Sequence, residues 1–151
     1  FMNRLEHALH QMRRGEGTVA VLFIDLDHFK AVNDSQGHEA GDRALIAVGR
    51  LATDALRPGD TVARLSGDEF AALCTDCTLP EAQAIAARIS DAVSGIHAGS
   101  PTMPLGASIG IARSDDPAIP PADLLAHADS AMYAAKQSGR GRFVTYTADL
   151  G

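Results

Sequence analysis

The chain has 151 residues, 46% of them hydrophobic, and carries a formal charge of -6 with a pI near 5.4. That length suits one domain with a real core and is too short for two ordinary ones. The acidic balance argues against duplex nucleic acid or an anionic membrane as the main partner, because both call for a basic face.

FMNRLEHALHQMRR opens directly in a helical pattern, with Leu5, Leu9 and Met12 on one side, and predicts a helix over residues 2–13. No signal peptide precedes it, and the chain reads as a fragment of something longer. TVAVLFIDLD, residues 18–27, is a β-rich apolar run ending in acids, the pattern of a buried strand. DHFKAVNDSQGHEAGD, residues 27–42, is rich in Asn, Asp, Ser, Gly and His and reads as a long loop. A helix follows from about Glu39 to Leu56, its apolar face carrying Ala40, Ala44, Leu45, Val48, Leu51 and Ala52, and Pro58-Gly59 stops it.

Two short strands, TVARL and EFAALCT, flank Ser66-Gly67 and predict a hairpin. Pro80 introduces a helix through EAQAIAARISDAV, and LGASIGIAR, residues 105–113, reads as a strand that Gly106 and Gly110 either weaken or open to close neighbours. PPADLLAHADSAMYAAKQSG is a helix closed by Gly139, and RFVTYT is a last strand. The order α-β-α-ββ-α-β-α-β predicts one mixed sheet covered by helices, an α/β or α+β domain with no linker or repeat.

Asp25 and Asp27 lie two apart at a strand end, so alternation places both on one face, while Asp68 and Glu69 follow the tight turn. Such acids are either solvated loop residues or an oxygen-rich site for Mg²⁺ or Mn²⁺, which takes one or two carboxylates plus waters and phosphates. In the loop after the first strand, Lys30 offers a phosphate partner, and Asn33 and Asp42 offer hydrogen bonds to a base edge. Lys136, Arg140 and Arg142 form a basic cluster at a helix terminus, either complementing the helix dipole or holding phosphate. Cys74-x-x-Cys77 has metal-ligand spacing but no second Cys or His pair, so both read as incidental thiols. With no apolar run near the roughly 20 residues that span a bilayer, the domain is expected to be soluble, reduced and cytoplasmic, without membrane contact of its own.

Taken together, FIDLDHFKAVNDSQGHEAGD, VARLSGDEFAAL, ASIGIA and ADSAMYAAKQSGRGR resemble, in order and spacing, the GGDEF domains of diguanylate cyclases. The resemblance covers nearly the whole chain. It implies a single domain over residues 1–151, truncated at its N-terminus because the family's Asp-x-Leu-Thr-Gly-Leu-x-Asn-Arg motif is absent. It also implies a central mixed five-stranded sheet with a peripheral hairpin.

The implied activity is condensation of two GTP into cyclic di-GMP with release of two pyrophosphates, by a homodimer in which each domain holds one GTP. Asp25 and Asp68, with the carbonyl of Leu26, would hold two Mg²⁺ or Mn²⁺ ions per site; Asp68 would also act as general base, with Glu69 in support. Phe29 and Lys30 would contact phosphates, Asn33 and Asp42 would read guanine, and Lys136 and Arg140 would hold the terminal phosphates. His28 and His38 are expected to cap or pack rather than bind metal. Arg57-x-x-Asp60 resembles the family's inhibitory product site, and Arg88 resembles the arginine that completes it from a neighbouring domain.

The departure is Ser66, where the family pattern has glycine. If the turn needs φ > 0 there, serine costs about 1 kcal/mol, whereas Gly67 can take that conformation freely. Ser66 motivates an alternative: a degenerate module that binds GTP or cyclic di-GMP and regulates an attached EAL phosphodiesterase or sensor domain. An adenylyl-cyclase-like or polymerase-palm enzyme shares the two-metal logic, but Asn33 and Asp42 argue for guanine.

Overall fold

A computed structural model of the chain describes residues 1–12, 17–100 and 103–150. Its element order is α1 (Met2–Met12), β1 (Val19–Asp27), α2 (Phe29–Gln36), α3 (His38–Ala55), β2 (Thr61–Ser66), β3 (Glu69–Thr75), α4 (Leu79–Ser94), β4 (Gly99–Ser100), β5 (Met103–Pro104), β6 (Gly106–Ser114), α5 (Pro121–Gln137) and β7 (Phe143–Thr145). A 3-10 turn follows at Ala148–Leu150.

β1 is the middle of a five-stranded sheet ordered β2-β3-β1-β6-β7. It runs antiparallel to both β3 and β6, while β6 and β7 run parallel, which makes the sheet mixed as expected. The expected peripheral hairpin is a two-stranded antiparallel ladder of β4 and β5.

Alternation along β1 splits the core in two. Ala20, Leu22, Ile24 and Leu26 face α3 and α4, where Val48, Ala52, Ile85 and Ile89 complete the larger cluster. Val19, Val21 and Phe23 face α1 and α5, meeting Leu5, Leu9, Leu124 and Met132. Asp25 and Asp27 continue the second series, so the strand carries its acids onto the face that α5 covers.

Glycine at 110 is what lets α5 cover that face so closely. A Cβ there would collide with the backbone of Ala128, Ala131 and Met132, so only a hydrogen fits between β6 and α5.

Three boundaries differ from the sequence reading. The stretch 27–42 is not a loop: α2 occupies Phe29–Gln36, and the break to α3 is confined to Gly37 at φ 90°. Asn33, Asp34, Ser35 and Gln36 hide this two-turn helix because only Val32 is buried, leaving no apolar period to read. The last strand is Phe143–Thr145, shorter than RFVTYT. The first helix ends at Met12, and Arg13 of the expected span lies outside the described residues. The Thr78 capping box starts α4: its side chain accepts from the Glu81 N–H at 3.2 Å while Glu81 accepts from the Thr78 N–H at 3.1 Å.

Candidate active site

The ends of β1, β3 and α5 converge on one open cleft of about 620 Å³. Its walls are Asp25, Leu26, His28, Phe29, Lys30, Ala31, Asp34, Ser35, Asp68, Lys136 and Arg140. Asp25 pairs across the sheet with Glu69, and the Leu26 N–H donates to the Asp68 carbonyl at 3.1 Å, pinning the β2–β3 turn beside the β1 acids.

Asp25 and Asp27 have different fates despite their shared face. Asp27 has a side chain only 3% exposed and serves as a hub. It accepts from Ser108 Oγ at 2.7 Å, from the Gly141 N–H at 2.9 Å and from Lys136 Nζ at 3.1 Å, with Arg140 Nη1 at 3.6 Å. Burial works to raise its pKa, but the bonds from Ser108, Gly141 and Lys136, together with the lysine charge, hold it below the usual carboxylate value. Gly106 is its cross-strand partner, and a Cβ there would stand 3.3 Å from Asp27 Oδ2.

Asp25 is placed differently. Its Oδ1 meets Lys136 Nζ at 3.2 Å. Burial raises its pKa, the lysine charge opposes that, and the nearby Asp68 and Glu69 carboxylates push it up further. The four acids of the sequence reading therefore divide. Asp27 is taken up by the fold, and Asp25, Asp68 and Glu69 remain as a mutually repelling group beside one ammonium.

Among the described residues, no group of three or more His, Cys, Asp or Glu side chains forms a ready metal cage. The donor set instead suits a hard divalent cation brought in with its substrate, which needs one or two protein carboxylates and completes its shell with water and phosphate oxygens.

Two non-glycine residues at this cleft have left-handed backbones, His28 at φ 65° and Arg140 at φ 62°. Such conformations cost about 1–2 kcal/mol each and are held only where surrounding structure fixes them. His28 occupies the N-cap of α2 without a side-chain capping bond, and His38 is the exposed first residue of α3, so neither side chain caps a helix. Arg140 sits between Gly139 and Gly141 in the turn after α5, and this turn delivers the Gly141 N–H to Asp27.

Phe29 and Lys30 line the cleft, whereas Asn33 and Asp42 are not among its described walls. Asn33 is half-buried, and a Cβ on Gly41 would collide with its amide oxygen; Asp42 is exposed on the first turns of α3. Asp34 and Ser35 were missed as wall residues because they were read as loop.

Glu69 accepts a hydrogen bond from Ser66 Oγ at 2.7 Å. Ser66 closes β2 and is absent from the residues with positive φ; Gly67 takes that conformation at φ 33°.

Away from the cleft, Arg57 bonds Asp60 through Nε at 3.3 Å, the Thr75 carbonyl at 2.5 Å and the Asp76 carbonyl at 3.4 Å. Arg88, on α4, donates to the Ala55 carbonyl of its own chain at 2.8 Å, two residues before Arg57. Cys74 and Cys77 are buried free thiols, and burial, with the nearby Asp60 charge, pushes the Cys74 pKa to about 12.

The family model described as "Diguanylate cyclase, GGDEF domain" matches residues 1–142. The chain belongs to the GGDEF family. Within it, this member carries the variant signature Ser66-Gly67-Asp68-Glu69-Phe70. It is 46% identical over 129 residues to the probable diguanylate cyclase DgcE of Escherichia coli, covering 84% of this chain and 12% of that protein. It is 41% identical over 148 residues to the diguanylate cyclase TpbB of Pseudomonas aeruginosa, covering 93% of this chain and 33% of that one. The chain thus spans a third or less of these curated relatives. The crystal structure of the TpbB GGDEF domain superposes with a TM-score of 0.88 at 40% identity, over 97% of this chain and 93% of that one. The GGDEF domain of DgcB from Caulobacter crescentus, solved in complex with c-di-GMP, superposes with a TM-score of 0.86 at 26% identity, over 95% and 86% of the two chains. Among the described residues no helix is long and apolar enough to cross a membrane.

Proposed function

We propose that this GGDEF domain is a diguanylate cyclase that condenses two GTP molecules into cyclic di-GMP and two pyrophosphates, working as a homodimer with one GTP per domain. The observation that carries this reading is the cleft itself, where Asp25 and Asp68 stand beside Lys136, with Lys30 and Arg140 on the same walls. Acids and cations sharing one cleft suit a polyphosphate substrate delivered with a divalent cation.

In each half-reaction the 3′-oxygen of one nucleotide bonds to the α-phosphorus of the other, and the bond from that phosphorus to the bridging oxygen of pyrophosphate breaks. Asp68 takes the hydroxyl proton. Lys30, Lys136 and Arg140 bind the triphosphate oxygens and stabilise charge on the departing pyrophosphate. Phe29 opens α2 at the cleft wall, where its backbone meets phosphate. Asn33 and Asp42 read guanine from the α2–α3 junction, with Asp42 accepting from the paired donors that adenine lacks. Asp25, Asp68 and the Leu26 carbonyl would hold Mg²⁺ or Mn²⁺, which would supply neutralisation of phosphate charge and a lowered pKa for the hydroxyl.

Arg57 and Asp60 form the inhibitory site for the product, completed by Arg88 of a neighbouring domain. Support comes from the end of α3, where the Arg57 fork bonds Asp60 and carbonyl oxygens that a guanine edge or phosphate would replace. The deciding experiment is incubation of the full-length protein with GTP and Mg²⁺. Cyclic di-GMP formation supports the enzyme. A demonstrably dimeric sample that makes no product, yet binds cyclic di-GMP, would leave the regulatory module in its place.

A further inference from the structure

We infer that Ser66 is a positioning residue for Glu69, and that this side-chain bond takes over in this chain a task that glycine at the same place cannot perform. The inference rests on the divalent-cation reading of the cleft.

Glu69 is surrounded by like charge. It pairs across the sheet with Asp25, follows Asp68 directly in the chain, and lies within electrostatic reach of Asp129 on α5. A glutamate at a strand start has enough free torsions to swing its carboxylate away from such neighbours. The hydroxyl of Ser66 opposes that movement by donating to Oε1 at 2.7 Å, within the distance of a charge-assisted O–H···O bond. The bond keeps Glu69 on the face that it shares with its cross-strand partner Asp25, beside the acids that would draw a divalent cation.

The geometry has no strain to offset. Ser66 ends β2 with no positive φ, and the register shift of the hairpin falls between Arg64 and Ser66, which brings Ser66 opposite Glu69. Ser66 is also not among the described walls of the cleft.

The test is Mn²⁺ affinity, measured by calorimetry on the full-length protein with a GTP analogue whose α–β bridge cannot be cleaved. Ser66→Ala and Ser66→Gly are expected to weaken Mn²⁺ roughly 3- to 10-fold, the size of one lost side-chain hydrogen bond, while Ser66→Thr stays within about 2-fold of the wild type. In a Glu69→Gln background, Ser66→Ala is expected to add nothing, because the two residues act as a unit. Unchanged affinity in Ser66→Ala and Ser66→Gly, or the same loss with and without Glu69, overturns the inference, as does a wild type that binds no Mn²⁺. A wild type that binds Mn²⁺ and shows the coupling but forms no cyclic di-GMP overturns the cyclase reading alone.

Discussion

Asp25 and Asp27 occupy equivalent positions on one face of β1, yet their surroundings drive their pKa values in opposite directions. For Asp25 the folded value lies above the unfolded one, so the ionised side chain costs stability at neutral pH, and that cost fades as pH falls through the folded value. Asp25→Asn should therefore raise the melting temperature at pH 7 by about 2 °C, under 1 kcal/mol after discounting for solvent screening, while removing GTP turnover. The gain should shrink towards zero in melts run below about pH 4.

Asp27 behaves in the reverse sense. Its folded pKa is lowered, so its stabilisation is present above the unfolded value of about 3.9 and is lost as pH falls through the folded one. Asp27→Asn should cost about 3 kcal/mol in urea unfolding at pH 7, the low end for breaking a buried pair, because Lys136 keeps Asp25 as a partner. Spacing placed these two acids together and could not separate them. The partners that distinguish them, Ser108, Lys136 and Gly141, lie 81, 109 and 114 residues further along the chain. Ser66 shows the opposite limit: the strain it was suspected of depends on one dihedral angle, which the letters SG leave open and the bulge assigns to Gly67.

At the level of elements, the strongly periodic segments were readable and the polar one was not. β1, α3 and α5 declare themselves because each buries a continuous face, and the boundaries fall within two residues of the sequence reading. α2 buries a single valine, and its helicity comes from lying between the cleft and α3 rather than from an apolar stripe. The glycines of β6 left two readings open, a weakened strand or a close neighbour, and Gly110 takes the second, as the seat of a helix. Gly110→Ala should lift α5 from the sheet, cost about 3 kcal/mol in chemical unfolding, and displace Lys136 enough to weaken binding of a GTP analogue at least several-fold. A variant with unaltered stability would contradict the close β6–α5 packing.

For the molecule as a whole, one mixed sheet covered by helices was legible from the order of the elements, whereas the strand order β2-β3-β1-β6-β7 and the division of the core by alternation along β1 come from the structure. The second copy that the proposed condensation calls for is implied only by the resemblance, in which each domain holds one GTP. Specific activity should accordingly rise with protein concentration until dimers saturate. Excess Asp68→Asn chain should suppress the wild type more than dilution does, since mixed dimers pair one competent domain with one lacking its base; a strictly proportional loss would argue against two-copy catalysis. At the inhibitory site, Arg57→Ala should reduce cyclic di-GMP affinity at least about 10-fold in calorimetry, as expected for a lost charged hydrogen-bond fork, with turnover at low product unchanged.

The bond from the Gly141 N–H to Asp27 spans 114 residues, and at roughly 5–20 residues per second of synthesis its two ends are made about 6–23 s apart. Once Thr75 is made, and until Lys136 is, the growing chain carries Asp25, Asp27 and the whole β2–β3 hairpin but neither Lys136 nor the turn after it. Within this domain the acids are made early and their counter-charges more than a hundred residues later. A nascent chain therefore cannot complete the cleft until Lys136 and the turn after it have been made, and termination anywhere before Lys136 yields a product without the cleft walls that Lys136 and Arg140 supply.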